Sequence, residues 1–144
     1  MTTTVKSLTH LLADTYSLYL KTQNYHWHVT GPNFKVLHEL FEEQYIFLAS
    51  SVDSLAERII ILGGQAPATY KAFAQLTKIK DGDSNLPAEK MIAELAADLK
   101  QIIKDLRAVI SAAQRDNDEG TMSMISEAIA QYEKAAWKLD SHLK

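Results

Sequence analysis

The sequence predicts an all-α fold: a bundle of four long helices that forms one domain over residues 1–144. Two observations lead to this prediction. Apolar residues recur at three- and four-residue spacing along stretches rich in strong helix formers, and glycine and proline gather at four short breaks between those stretches. No stretch shows the apolar–polar alternation typical of a half-buried strand. A chain of 144 residues is also long enough to bury a core without disulfide or metal staples.

The first two helices are expected on either side of a Gly-Pro pair at positions 31 and 32. Helix A is predicted over residues 4–29 and helix B over residues 34–62. Asn33 suits the N-cap of helix B, and Gly63 suits its C-terminal cap. The buried face of helix A is expected to comprise Leu8, Leu11, Leu12, Thr15, Leu18 and Tyr19. The core stripe of helix B is expected to comprise Phe34, Leu37, Phe41, Leu48, Val52, Leu55 and Ile59.

The second half of the chain predicts two more long helices after a long connection. Residues 70–76 are apolar enough for a short helix within that connection. Helix C is predicted to start near Pro87, because proline suits the first helical turn, and helix D near Thr121. Short A–B and C–D links with a long B–C crossover are typical of a ferritin-like four-helix bundle, here with a short extra helix in the B–C connection.

Composition and charge narrow the classes of function. The chain has no cysteine, which excludes disulfides, thiolate metal sites and cysteine nucleophiles. Its net charge is −3, from 15 basic and 18 acidic residues, which argues against a nucleic-acid partner. No apolar run reaches the length of a membrane helix, and the first residues lack the features of a signal peptide. We therefore expect a cytoplasmic protein without membrane association.

Five side chains form a candidate metal site: His26, His38, Glu42, Asp53 and Glu57. His38 and Glu42 are four residues apart, and so are Asp53 and Glu57, so each pair lies on one helix face, one turn apart. Imidazole nitrogen together with carboxylate oxygen suits a catalytic first-row metal such as iron. His26 lies near the A–B turn and is expected to fold over the start of helix B and join His38.

The spacing of the two pairs predicts a site shared between two copies of the chain. Glu42 and Asp53 are eleven residues apart, or about 16 Å along a helix. Bonds from a metal to its ligands are only about 2 Å long, so one helix cannot bring both pairs to one ion. Two antiparallel copies of helix B, related by a two-fold axis near residues 47–48, would place the first pair of each copy against the second pair of the other. Two equivalent sites result.

Apolar residues around these carboxylates support the prediction of a contact surface. Ile46, Ala49, Ala56 and Ile60 project onto the same strip of helix B, where a monomer should be polar. Each ligand candidate also has a simpler interpretation. A lone His–Glu pair is usually solvated, two carboxylates four apart are usually a charged face, and a histidine such as His26 is often merely partly buried. Their joint placement on one strip favours the metal site.

Several segments resemble the Dps family of mini-ferritins, which are named for DNA protection during starvation. The resemblance rests on NYHWHVTGPNF at residues 24–34, LHE at 37–39, DSLAER at 53–58, LGG at 62–64 and EKAAW at 133–137. It extends over nearly the whole chain. It implies a homo-oligomeric shell of twelve subunits with a hollow interior and a ferroxidase centre at each two-fold interface.

The resemblance also implies roles for the candidate residues. His26 and His38 would come from one subunit and Asp53 and Glu57 from its neighbour. Fe(II) would be oxidised there by hydrogen peroxide or dioxygen, and ferric mineral would be stored in the cavity. The fifth position, often Asp in the family, is Glu42 here; it keeps the carboxylate and is expected to bind iron directly or through water.

Two aromatic residues are candidates for trapping oxidants, and four acidic residues are candidates for lining an iron pore. Trp27 resembles the family's tryptophan beside the iron centre, and Trp27 and Tyr25 are candidate traps for stray one-electron oxidants, with packing as the alternative.

Family members admit iron through acidic pores near the start of helix D, where the candidates are Asp116, Asp118, Glu119 and Glu127. The family often has Asp two residues after the Thr that begins helix D, whereas this chain has Ser123. A solvated acidic helix start is the alternative.

Three other functions remain open at this point. A larger-ferritin site within one bundle usually needs Glu-x-x-His, which the sequence lacks. A nucleoid protein that shields DNA physically is opposed by the scarcity of lysines at the start of the chain, where only Lys6 occurs in the first turn of helix A. A shell charge of about −36, for twelve copies at −3, opposes it as well. A structural or signalling shell with a vestigial metal site is opposed by the intact ligand set.

Overall fold

Helices make up most of the chain in a computed structural model, which describes residues 2–144. They are α1 Thr3–His28, α2 Phe34–Ile61, α3 Tyr70–Leu76, α4 Ala88–Arg115 and α5 Glu119–Asp140, followed by a 3-10 turn at Ser141–Leu143. Helices A to D of the sequence analysis correspond to α1, α2, α4 and α5. The predicted all-α arrangement, with a short helix in the B–C connection, is confirmed. No helix within residues 2–144 combines the length and hydropathy needed to cross a membrane.

The core lies between the four long helices. α1 packs against α2 and α4, α4 packs against α5, and α3 lies on α1. Each fully buried leucine or isoleucine contributes about 2 kcal/mol to the free energy of unfolding. The buried positions of the four helices include Leu8, Leu11, Leu12, Leu18, Leu37, Phe41, Leu48, Ile59, Leu95, Leu99, Ile102, Leu106, Ile125, Tyr132 and Leu139.

Two positions of α2 differ from the predicted core stripe. Phe34 is 43% exposed, because at the first residue of α2 its ring turns to stack on His38, with the ring centroids 5.0 Å apart. Gln44 is only 4% exposed, and its Nε2 donates a hydrogen bond to the carbonyl of Ala135, 3.1 Å away. That bond satisfies the buried amide and ties α2 to α5.

The helix ends follow local capping chemistry. Asn33 occupies the N-cap position of α2, as predicted, but its side chain makes no capping hydrogen bond. Gly63 ends α2 at φ +87°, a left-handed conformation that glycine adopts without strain, and its N–H donates to the carbonyl of Ile60. α5 begins at Glu119, two residues before the expected Thr121, because the Asp118 carboxylate accepts a hydrogen bond from the Thr121 N–H and acts as the N-cap.

A buried ionic cluster fixes one end of the long connection between α2 and α4. The Lys21 ammonium of α1 lies 3.2 Å from Glu94 and 2.8 Å from Asp98 of α4. The Tyr25 hydroxyl donates to Glu94 and accepts a hydrogen bond from the Asp83 N–H of the connection. The cluster therefore joins α1, α4 and the connection.

A second cluster holds the segment after α3. The buried Asp14 carboxylate of α1 accepts hydrogen bonds from the Thr77 hydroxyl and the Lys78 N–H, each at 2.7 Å. The Lys78 ammonium lies 2.9 Å from Asp105 of α4. Burial, followed by hydrogen bonding with Asp105, raises the pKa of Asp14 to about 6. The protonated form of Asp14 is thus favoured beside a second carboxyl group.

Candidate metal centre

The end of α1 and the start of α2 bring His26 and His38 together. The Nδ1 atom of His26 lies 2.7 Å from the main-chain carbonyl oxygen of His38. In return, the Nδ1 atom of His38 lies 2.7 Å from the main-chain carbonyl oxygen of His26. The two rings stack with centroids 3.8 Å apart and planes 13° from parallel. The carbonyl of His26 is in the last turn of α1, where carbonyls lack intrahelical partners, and the His38 ring supplies one.

These hydrogen bonds define the tautomer of both rings. A carbonyl oxygen only accepts, so each Nδ1 must carry the hydrogen and donate it. In the neutral imidazole, Nε2 then keeps its lone pair and is free to bind a metal. Metal-binding histidines commonly donate the other ring N–H to a carbonyl or carboxylate in this way. Both rings therefore present Nε2 in the form that a metal ligand requires.

Glu42 adds a carboxylate to the pair, as the sequence spacing predicts. Its Oε1 lies 3.8 Å from Nε2 of His26, so the carboxylate faces the nitrogen that is free to bind a metal. Half of the Glu42 side chain is exposed, whereas His26 is only 5% exposed. The structure thus stacks His38 on His26 and sets Glu42 beside His26, although within the described residues the three side chains alone do not form a group that could hold a metal ion.

Two aromatic rings that the sequence analysis missed flank the histidines. Phe34 stacks on His38, and the Tyr45 ring meets His26 edge-on with centroids 5.2 Å apart. Tyr45 lies seven residues, or two turns, after His38 and so lies on the same face of α2. That spacing is the signal that would have identified it.

Asp53 and Glu57 are not brought to the histidines within one chain. Both carboxylates are exposed on α2, and the helix rise puts Asp53 about 16 Å beyond Glu42. Within residues 2–144, no three His, Asp or Glu side chains come close enough together to hold a metal ion. The five candidates therefore form two separate groups on the surface of the subunit.

The strip of α2 that carries the two groups also holds exposed apolar side chains, as the sequence predicts. Ile46 is 57% exposed and Ile60 is 58% exposed, and both lie on α2 beside the exposed Ala49. Large aliphatic side chains of this kind, together with carboxylates, are typical of a surface that another chain covers.

Two of the four candidate pore residues have structural partners. Asp118 accepts hydrogen bonds from Thr121 and lies 2.9 Å from the Arg58 guanidinium, which also donates to the Thr121 hydroxyl. Partial burial alone would raise the pKa of Asp118, but the hydrogen bonds and the charge of Arg58 outweigh it and lower the pKa. Asp116 accepts hydrogen bonds from the N–H and hydroxyl of Thr4, at the start of α1. Only Glu119 and Glu127 of this set are simply exposed.

The candidate oxidant traps have different surroundings. Trp27, which follows His26 in the sequence, is 59% exposed. Tyr25 is fully buried, and its hydroxyl is occupied by Glu94 of α4. Tyr25 therefore belongs to the buried ionic cluster.

Helix order, the long crossover and the paired histidines define a ferritin-like protein, and the family model for ferritin-like domains matches residues 5–144. The chain belongs to the Dps family. It is 34% identical over 139 residues to the DNA protection during starvation protein 2 of Bacillus anthracis, which covers 96% of this chain and 95% of that protein.

Solved structures agree with this assignment. The Dps protein from Bacillus brevis has a TM-score of 0.95 and 33% identity, covering 98% of this chain and 95% of that chain. A Dps protein from Vibrio cholerae, described as a member of a broad superfamily of ferritin-like diiron-carboxylate proteins, has a TM-score of 0.94 and 30% identity, covering 98% and 89%.

Proposed function

We propose that this protein is a ferroxidase and an iron store, with each iron centre shared between two copies of the chain. The single observation that carries the proposal is the reciprocal bonding of His26 and His38, which leaves both Nε2 atoms free, that of His26 facing Glu42. Asp53 and Glu57 of a second copy would complete the centre. The description of the Vibrio cholerae relative as diiron-carboxylate supports iron as the metal.

The shape and chemistry of the α2 surface support the shared centre. About three turns of helix separate Glu42 from Asp53, so in two antiparallel copies of α2 the first ligand group of each copy would lie against the second group of the other. A two-fold contact through this strip would bury Ile46 and Ile60 and would create two identical centres at once. Repetition of such contacts in a closed shell of twelve subunits would enclose a cavity for the ferric product.

The proposed reaction consumes Fe(II) and hydrogen peroxide together. Two Fe(II) ions and one hydrogen peroxide, with two protons, give two Fe(III) ions and two waters, so no hydroxyl radical is released. Carboxylates favour the harder Fe(III) ion and help to draw the electrons from iron, whereas the imidazoles hold Fe(II). Dioxygen is the alternative oxidant. The ferric product would hydrolyse and form mineral inside the shell.

DNA protection follows from this chemistry without contact with DNA. The Bacillus anthracis relative is named for DNA protection during starvation, and removal of Fe(II) and peroxide would protect DNA chemically. The net charge of −3 opposes direct binding to phosphates. The proposed compartment is the cytoplasm, where such a reaction would serve this purpose.

Rapid mixing of the protein with Fe(II) and peroxide tests the proposal. His38→Ala and Asp53→Ala should each lose the fast oxidation of Fe(II), because each removes a ligand from one side of the shared centre. Glu39→Ala is the matched control, since Glu39 is an exposed carboxylate next to His38 and should leave the rate unchanged. Fast oxidation in both ligand variants would contradict the proposed site.

A further inference from the structure

A line of aromatic rings leads away from the candidate metal centre along the groove between α1 and α2. The Tyr45 ring lies 5.2 Å from the His26 ring, and Tyr19 lies 6.1 Å from Tyr45, measured between ring centroids. Tyr16 follows 5.8 Å from Tyr19, and Phe73 stacks on Tyr16 at 4.6 Å. The first three contacts are edge-on, with interplanar angles between 66° and 72°. We call Tyr45, Tyr19 and Tyr16 the tyrosine line.

Two helices must cooperate to make this line continuous. Tyr16, Tyr19, Gln23 and His26 follow the three- and four-residue spacing of one face of α1. Seven residues, or about 10 Å, separate Tyr19 from His26, which is too far for their rings to touch. Tyr45 of α2 fills that gap, and the Gln23 amide donates to the Tyr19 hydroxyl at 3.2 Å.

The three rings fill space between the helices, and their hydroxyl groups add a chemical property that this packing does not require. The three tyrosines are half-buried and pack between helices, where phenylalanine would fill the same space, as Phe73 does at the far end. A phenol differs from a phenyl ring in that it gives up one electron and one proton together to a strong oxidant. The line begins at a candidate metal centre and ends at a ring that cannot react in this way.

We propose that the tyrosine line carries one-electron oxidising equivalents away from the iron centre, and this inference rests on the function proposed above. It applies when only one Fe(II) ion is bound as peroxide arrives. That ion and peroxide give Fe(III), hydroxide and a hydroxyl radical. The radical takes a hydrogen atom from the Tyr45 hydroxyl, which yields water and a Tyr45 phenoxyl radical.

Transfer along the line then returns Tyr45 to its resting form. Tyr19 passes an electron and a proton to Tyr45, and Tyr16 does the same for Tyr19. A second Fe(II) ion in solution reduces the Tyr16 phenoxyl radical, which takes up a proton, and this ion becomes Fe(III). The sum is two Fe(II), one peroxide and two protons giving two Fe(III) and two waters. The line would thus let a singly loaded centre complete the same balanced reaction as a doubly loaded one.

Freeze-quench electron paramagnetic resonance of the assembled protein tests the line. Less than one Fe(II) per subunit is bound without oxygen and then mixed with peroxide, using protein labelled with deuterated tyrosine to identify phenoxyl radicals. We expect a tyrosyl signal in the wild type. Tyr45→Phe should lose most of it, because the first phenol is missing. Tyr16→Phe should confine the radical to the two remaining phenols and slow its decay when further Fe(II) is added.

Tyr70→Phe is the matched control, since Tyr70 is 79% exposed and lies outside the line. It should keep the wild-type signal. The oxidation of Fe(II) is followed in the same wild-type samples, which separates the two proposals. Fast oxidation with an equal tyrosyl signal in wild type and Tyr45→Phe, or with no tyrosyl signal at all, would overturn the line alone. Failure of the wild type to oxidise Fe(II) would overturn both.

Discussion

His26 and His38 each donate a ring hydrogen bond to the main-chain carbonyl of the other, at 2.7 Å in both directions. Because the acceptors are main-chain atoms, they remain when either side chain is replaced. Each ring is therefore held by the backbone of the other helix and not by the other ring alone. The orientation of each histidine ring therefore does not depend on which side chain the other position carries.

Replacement of one histidine should leave the other in place. In His38→Ala, the carbonyl of residue 38 still accepts from His26 Nδ1, so His26 keeps its orientation while one ligand is lost. We expect the affinity for Fe(II) without oxygen to fall by about 10–100-fold. Calorimetry and a crystal structure of the variant check both points. A His26 ring that turns away from the carbonyl of residue 38 would show that stacking, and not the hydrogen bond, holds it.

Glu42 should act as a ligand through its charge. Glu42→Gln keeps the size of the side chain but removes the negative charge 3.8 Å from His26 Nε2. We expect slower oxidation of Fe(II) by about tenfold, because a neutral amide stabilises Fe(III) less than a carboxylate does. Glu43→Gln is the control, since Glu43 pairs with Lys138 at 3.0 Å on another face of α2. Equal rates of Fe(II) oxidation in the two variants would show that Glu42 is not a ligand in the centre.

Asp14 should make the stability of the protein fall as pH rises. Burial raises the pKa of Asp14 to about 6, so the folded chain holds a proton between about pH 4 and 6 that the unfolded chain has released. The free energy of unfolding therefore decreases over that range and stays lower above it. Asp14→Asn imitates the protonated form and should be more stable than wild type by about 3 kcal/mol at pH 7.5, with little difference at pH 4.

Denaturant unfolding at fixed protein concentration measures this difference. The exposed Asp81→Asn serves as the control and should show no such pH-dependent gain. A gain for Asp14→Asn that is the same at both pH values would contradict the assignment of the raised pKa to this carboxyl group.

Asp118 should prove important for folding of α5. Asp118→Ala removes the N-cap and the partner of Arg58, and should lower the free energy of unfolding by about 1–2 kcal/mol. Glu119→Ala, at the adjacent exposed position, should change it by no more than about 0.5 kcal/mol. Thermal or denaturant unfolding of both variants distinguishes them. Normal stability of Asp118→Ala with slower iron uptake would instead favour a role for Asp118 in a pore.

The protein should not bind DNA directly at physiological salt. If the proposed shell has twelve copies at −3 each, its net charge is about −36, which would repel phosphates. A gel-shift assay over a range of salt concentrations, with protein freed of metal, checks this expectation. A retarded DNA band that weakens steeply as salt increases would instead show direct electrostatic binding, and would support the nucleoid-protein alternative.

Local patterns in the sequence predicted much of this structure. Helix periodicity and the Gly and Pro breaks defined the five helices, and helical spacing alone placed Glu42 near His38. Contacts between segments that are distant in the sequence could not be predicted from these local patterns. The hydrogen bond of Gln44 to Ala135, the pairing of Arg58 with Asp118 and the burial of Asp14 beside Asp105 each depend on how separate helices pack. Phe34 was misplaced because periodicity does not reveal that a terminal ring can stack outward on a neighbouring histidine.

A mixture of two inactive variants tests the shared centre most directly. His38→Ala and Asp53→Ala subunits are unfolded, mixed in equal amounts and reassembled, and the fast oxidation of Fe(II) by peroxide is measured. If each centre takes His38 from one copy and Asp53 from another, a mixed pair regains one intact centre of its two, and random assembly restores about a quarter of the wild-type centres. Mixtures that stay as inactive as their parents would contradict the shared centre.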